Sequence, residues 1–551
     1  MRRFIPAFAS ACALIGSFFY GSFFFNLEST LSNFSGFGFM WPLQLFYNFL
    51  HERPFQSSIY ATDLAGVSVG FTHNPDAFIH ANVIHVNWLP YLFAYLWAFH
   101  PTPACLYGLI FAWNLIGGAF FTHLILRRLS PDDSGPKIAF ALSVLAIGGL
   151  LPIMAQMAQF LLFAGPVILA VYYCLLTKKL NLFLLAIAAL CLVSEDSAMV
   201  AIAFLAYILL LEPGRKSFAW LGACVAIPYT ALTLFWMQPA SRIHLRLMED
   251  STTMHLVKEI FHMNLALLLE NLKSLLPALT LLPAFLLGAF LFGRPNKKQT
   301  LKIAGLALLP ALPHWGESFV VGGAHHLLPV FSFVYLALLR TIGGPNSEAK
   351  MSGHRRTYAI AGSCLLFFAV SLRALAGHLP NSLRLPIYRL AGQKAKADTL
   401  ERGLAGGKHS NRAVIAAALA LPSDKSLSYL TNNQIPGFFL NRTDIWQFPD
   451  YFDLTDYLLI QKDAADAVFP FEPDAAKDLR ADLMISPRDI KRNAPVTAAM
   501  IAKITETLVR KERTHKIIRN DEHVLILERS RPHSFFSPPE TVGFGWLGAH
   551  K

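Results

Sequence analysis

The sequence predicts a polytopic α-helical membrane protein, about eleven spans in all, followed by an extracytoplasmic α/β domain. Three observations carry that prediction. Of 551 residues, 54% are hydrophobic and only 15% are charged, with a mean hydropathy of +0.43. That is too little charge to coat a water-soluble chain of this length. Apolar runs long enough to cross a hydrocarbon core recur as far as residue 376, each needing about 20 residues. From residue 378 onward the composition turns to mixed polar sequence with strand and helix signals. The expected domains are therefore 1–377, in the membrane, and 378–551, outside it. Disorder is excluded, because 45 Phe and 9 Trp can bury far too much apolar area.

The predicted spans fall at 4–26, 103–126, 137–154, 160–177, 217–237, 274–292, 301–313, 325–342 and 357–376. Residues 180–211 form one longer run, interrupted by Ser194-Glu195-Asp196-Ser197. Two carboxylates at mid-membrane are expensive, so that run reads as a hairpin of two short spans with the acidic pair at its turn. The first run follows Met1-Arg2-Arg3 and reads as an uncleaved signal-anchor. Residues 86–99, short and rich in aromatic rings, read as a helix lying in the membrane interface.

The basic residues fix the orientation. With the N-terminus inside, seventeen Lys and Arg fall on one side, including Arg127, Arg128, Arg215, Lys302 and Arg340. Five fall on the other within the membrane part: Arg53, Arg242, Arg246, Lys258 and Lys273. This asymmetry follows the positive-inside rule and puts the N-terminus on the cytoplasmic side of the membrane. The first outer loop is then 27–102, and the acidic turn and the whole tail also face outward. The net charge of +12 is accounted for by insertion, and nucleic acid is excluded as a partner. None of the six cysteines has the spacing of a metal site or a redox pair.

In the tail, 426–430, 445–448, 457–461 and 523–528 read as strands, with a helix over 411–421. A sheet of three or four strands is expected. Leu404-Ala-Gly-Gly-Lys408 lacks phosphate-loop spacing and reads as a linker.

Several outer-face groups are candidates for chemistry. Glu28, Asp63 and Asp76 lie in the first outer loop with His73, His80 and His85. Imidazole and carboxylate suit a divalent cation, yet the spacing fits no closed site, and a solvated histidine-rich surface is the plainer reading. Glu195 and Asp196 sit where desolvation and mutual repulsion act on a carboxylate's pKa, or else serve a helix cap at Ser194 or Asp196. His325 and His326 open a span, and a helix N-terminus suits an anion such as phosphate; anchoring at the interface is the plainer alternative. Arg53, Arg242 and Arg246 suit a lipid phosphate or ordinary headgroups.

The order of the motifs is more specific than any one of them. HERPF (51–55) and IHVNWLPYLF (84–93) precede PTPACLYGLIFAWNL (101–115) and LILRRL (124–129). VSEDSAMV (193–200), HHLLPV (325–330), a tail stretch from LPSDKSLSYL (421–430) to DIWQFP (444–449), and DYLLIQ (456–461) follow. In this order the chain resembles the bacterial membrane-protein family called domain of unknown function 2079, grouped with the GT-C glycosyltransferases.

The resemblance implies a GT-C fold, with a first outer loop lining the active site and an outer C-terminal domain. It implies transfer of a sugar from a polyprenyl-phosphate donor to an acceptor, with an acidic residue of an outer loop as general base. Glu195, Asp196, Arg53 and His85 match the family pattern. Gly38 and Leu43 stand around Gln44 where the family tends to carry aspartates, Ile84 precedes His85 in place of an acid, and Ala158-Gln159 replaces a Phe-His pair. Glu28, Asp63 or Asp76 then stands in as the base, or the chain has lost transfer activity. In that second case it is a non-catalytic membrane subunit or lipid-binding partner whose tail docks an envelope protein.

Overall fold

The computed structural model describes residues 37–51, 86–101, 103–129, 160–237, 297–314, 328–342, 392–422 and 513–530, with short pieces between 385 and 511. The expected spans at 4–26, 137–154, 274–292 and 357–376 lie outside these residues.

Helices α1 (Phe37–Leu50) and α2 (Trp88–Trp97) come first, followed by α3 (Pro103–Ala112). Pro103 suits the first helical position, where its missing N–H costs nothing. A five-residue π turn, Trp113–Gly117, joins α3 to α4 (Gly118–Leu129). The turn is held from outside the helix. Trp113 Nε1 donates to the Phe163 carbonyl at 3.0 Å, and Asn114 Nδ2 donates to Ile110 and Leu162 at 2.9 and 3.0 Å. A short 3-10 turn, Phe160–Phe163, leads into α5 (Ala164–Thr177). Then come α6 (Leu180–Cys191), α7 (Glu195–Leu211), α8 (Lys216–Leu232), α9 (Lys297–Leu308) and α10 (Leu328–Ile342).

Three described helical stretches are long and apolar enough to cross a membrane: Gly108–Leu129, Phe160–Thr177 and Pro213–Met237. Each coincides with an expected span. The 180–211 run does break into two helices, but the acidic pair is not in the connecting turn. Ser194 has extended backbone and caps α7, its hydroxyl accepting from the Ser197 N–H at 3.1 Å. Glu195 and Asp196 therefore occupy the first helical turn, where the helix dipole favours negative charge.

Helix α7 is central, packing against α6, α8 and the 3-10 turn Leu309–Ala311. Phe204 on α7 meets Phe333 on α10, their ring centroids 5.8 Å apart. Helices α4 and α10 are joined by a 2.8 Å hydrogen bond between the Thr122 and Tyr335 hydroxyls. At the α4–α5 approach, a Cβ on Gly117 would stand 2.8 Å from the Pro166 Cβ, so only glycine fits, as is common where membrane helices approach closely. Leu185, Leu210, Trp220 and Phe235 are exposed on the outside of this bundle. Helix α2 is two-faced. Tyr91, Ala94 and Trp97 are buried, while Leu92, Tyr95 and Leu96 are exposed.

In the tail, α11 (Lys394–Ala420) is one 27-residue helix. It runs through Leu404–Lys408, so that stretch is helical backbone and not a linker. Two glycines cost about 1 kcal/mol each relative to alanine in a helix interior, and the alanine-rich flanks outweigh them. A five-stranded sheet follows in the order β2-β1-β3-β7-β6. Its strands are β1 (Tyr429–Thr431), β2 (Ile445–Gln447), β3 (Tyr457–Gln461), β6 (His515–Asn520) and β7 (Val524–Arg529). β1 pairs in parallel with β2 and β3, whereas β3, β7 and β6 are antiparallel. A separate pair, β4 (Val468–Phe469) and β5 (Ala494–Pro495), completes the described strands. The expected sheet of three or four strands thus lacked β6, which is polar and lies at the sheet edge.

Candidate functional site

The acidic pair in the first turn of α7 forms a polar site. The Val86 backbone N–H donates to Glu195 Oε2 at 3.0 Å, and the Leu89 N–H donates to the Leu192 carbonyl at 2.7 Å. Residues 86–89, the entry to α2, are thereby strapped along the turn that opens α7. Glu195 is 1% exposed, whereas Asp196 is half-buried. A carboxylate is costly to bury unless hydrogen-bonded. Here a backbone amide and the α7 N-terminus both serve it.

Two buried donors lie close by. Asn87, next to Val86, is 2% exposed, and its Nδ2 meets no acceptor. The Tyr229 hydroxyl on α8 is buried without a hydrogen bond of good geometry and within electrostatic reach of Glu195. Buried polar groups are ordinarily hydrogen-bonded, so these two donors stand out in the fold.

Helix α1 reaches this site through α2. Phe46 packs on Tyr91 and Trp97, and Phe49 stacks on Tyr91 at 4.5 Å. Gln44, on α1, is buried at 4% exposure. Of the residues singled out from sequence, Glu195, Asp196 and Gln44 are described. Glu28, Arg53, Asp63, Asp76, His85, Arg242, Arg246, His325 and His326 lie outside the described residues. Among the described residues no three His, Cys, Asp or Glu side chains are grouped to hold a metal ion.

A second polar centre went unnoticed in the sequence. At the other end of α7, Glu212 accepts from Arg340 Nη1 at 2.6 Å and from Lys302 Nζ at 2.7 Å. The Tyr207 hydroxyl donates to Glu212 at 3.2 Å and accepts from Arg340 at 2.8 Å. Burial alone would raise the Glu212 carboxyl's pKa, but Arg340 and Lys302 overcome it and hold the group below its usual value of 4.5. The signal was available, since Glu212 directly follows an apolar run and precedes Arg215 and Lys216 at the basic end of the predicted spans.

No family model matches the chain, and no curated protein does. Solved structures similar to it include two of one protein. One is ArnT from Cupriavidus metallidurans bound to undecaprenyl phosphate, with a TM-score of 0.44, 10% identity, and coverage of 95% of this chain and 97% of that one. The other is the same protein in the apo state, with a TM-score of 0.38, 10% identity, and coverage of 89% and 95%. At TM-scores below 0.5 this likeness carries no inference about the chemistry of the present chain.

Proposed function

We propose that the protein is a GT-C-type membrane glycosyltransferase, moving a sugar from a polyprenyl-phosphate donor to an acceptor on the outer face of the inner membrane. The observation that carries this proposal is the bond between the Val86 amide and Glu195. It joins IHVNWLPYLF of the first outer loop to VSEDSAMV at the acidic turn, two motifs of the family resemblance that lie 109 positions apart. A loop held against a carboxylate pair at a helix N-terminus is the arrangement that acceptor activation needs.

Within this proposal Glu195 is the positioning group, since its carboxylate is engaged by backbone. Asp196, half-buried beside it, is the general base for the acceptor hydroxyl, with Glu28, Asp63 and Asp76 as alternatives. Gln44 and His85 line the cleft. Arg53, His325 and His326 meet the donor phosphate, with Arg242 and Arg246 toward the lipid surface, and a divalent cation at the acidic pair is a candidate cofactor. Residues 1–377 form the membrane domain and 378–551 the outer one.

One observation favours a second class of function. The near-complete burial of Glu195 suits a purely structural acid, as in a non-catalytic subunit that binds lipid and docks an envelope protein through its tail. The test is release of polyprenyl phosphate from a panel of radiolabelled polyprenyl-phosphate sugars, with purified protein and a membrane extract as the source of acceptor. Release above that of extract alone supports the transferase. Folded protein that releases nothing from any donor supports the partner.

A further inference from the structure

Among the described residues, the second polar centre holds more positive charge than its own carboxylate can neutralise. Arg340 and Lys302 share Glu212, while Arg215 lies within electrostatic reach of Glu212 and Arg128 within reach of Arg215. This group of four cations then holds one carboxylate among the described residues. Among the described residues no second carboxylate pairs with any of them. Arg215 has its side chain against the Phe218 ring, and its Nη1 is buried with no acceptor. The Tyr172 hydroxyl is 1% exposed, beside Arg340, without a hydrogen bond of good geometry. Arg128 is exposed, so the cluster is open to a ligand on that side.

A buried guanidinium N–H with no partner is costly, and the fold retains it within electrostatic reach of the buried Tyr172 hydroxyl. Guanidinium groups bind phosphate through paired N–H donors, and a phosphate offers enough oxygens for two of them and a phenol together. We propose that Arg128, Arg215 and Tyr172 form a binding site for a phosphate group, carried by an anionic lipid headgroup or by a soluble phosphorylated compound. The site is at the opposite end of α7 from Glu195, about 25 Å away for a 17-residue helix rising 1.5 Å per residue. It is therefore separate from the acidic turn and does not depend on the proposed sugar transfer.

The test uses full-length protein in a neutral detergent and native mass spectrometry with dioleoyl phosphatidylglycerol, phosphatidylcholine being the zwitterionic control. Arg128→Gln and Arg215→Gln remove one charge each from the cluster. Lys216→Gln removes one from an exposed neighbour outside it. Each cluster variant is expected to weaken phosphatidylglycerol retention about fivefold, from about 1 kcal/mol per basic residue near an anionic lipid, with Lys216→Gln close to wild type. Inorganic phosphate is titrated in parallel, reading the melting temperature. Stabilisation by phosphate that Arg128→Gln abolishes, together with displacement of the lipid, assigns the site to a soluble compound. Lipid retained against phosphate assigns it to a headgroup. The proposal is overturned if Arg128→Gln, whose exposed side chain leaves packing intact, matches Lys216→Gln in both titrations, whatever becomes of Arg215→Gln.

Discussion

Val86 and Glu195, 109 positions apart, are joined by a backbone-to-carboxylate hydrogen bond of 3.0 Å, with the acid 1% exposed. Glu195→Ala removes the acceptor and leaves the Val86 N–H unpaired in a buried place, which costs about 1–3 kcal/mol. Glu195→Gln keeps an amide oxygen at the same reach and loses less. Thermal melting of the two purified variants checks the order. Equal melting of wild type and Glu195→Ala would mean that the strap does not hold residues 86–89.

Gly117 and Gly118 make a matched pair in adjoining positions. A methyl group at 117 meets the Pro166 ring at 2.8 Å, a neighbour too rigid to move aside, whereas one at 118 meets nothing within 4 Å. Gly117→Ala is expected to destabilise by about 1–3 kcal/mol through overpacking. Gly118→Ala should be neutral, or gain up to about 1 kcal/mol from helix propensity. Urea or heat melts of both variants decide this, and similar behaviour of the two would contradict the close α4–α5 approach.

Glu212 links stability to acid. Its carboxyl is held below 4.5 in the folded protein by Arg340 and Lys302, against the effect of burial. Such a group contributes stability that is fully present above its unfolded value and is lost as pH falls through the folded one. Between pH 5 and pH 3 the melting temperature of wild type should therefore fall more steeply than that of Glu212→Gln. Other carboxylates titrate in both proteins and cancel in the difference. Parallel curves would show that the ion pairs add nothing to stability.

Among the described residues, the long apolar helices were legible because their signal is long-range and redundant. A run such as 160–177 is apolar at nearly every position, and no other structure buries it. The hairpin at 192–194 was legible from the cost of two carboxylates, though their place inside α7 came from the Ser194 cap, a single hydroxyl contact. Short polar elements were harder. β6, HKIIRN, is exposed at most positions because it is an edge strand, so it lacks a strand's usual alternation. Its one legible cue was the turn after it, where Asp521 accepts from the His523 and Val524 N–H groups. The Val86–Glu195 bond was not legible at all, since one partner is a backbone amide and carries no sequence signal.

The positive-inside asymmetry gives an orientation that is open to direct measurement. Alkaline phosphatase fused after Lys551 should be active, and a green fluorescent protein at the same place should be dark, because the tail is expected outside the membrane. A fusion after Lys350, on the basic side, should show the reverse. Phosphatase activity at both positions would mean that the span register is wrong by one.

Asp196 and Glu195 should separate in a transfer assay, and that comparison tests the proposed chemistry most directly. Wild type, Glu195→Gln and Asp196→Asn are each given a polyprenyl-phosphate sugar and membrane extract, and released polyprenyl phosphate is followed from pH 5 to pH 9. Loss of a general base costs about 10²–10⁴-fold. The expected result is a loss of that size in Asp196→Asn, with Glu195→Gln retaining the wild-type pH profile at reduced rate. Full release and an unchanged profile in Asp196→Asn would remove the acidic turn from the chemistry and move the base to the first outer loop.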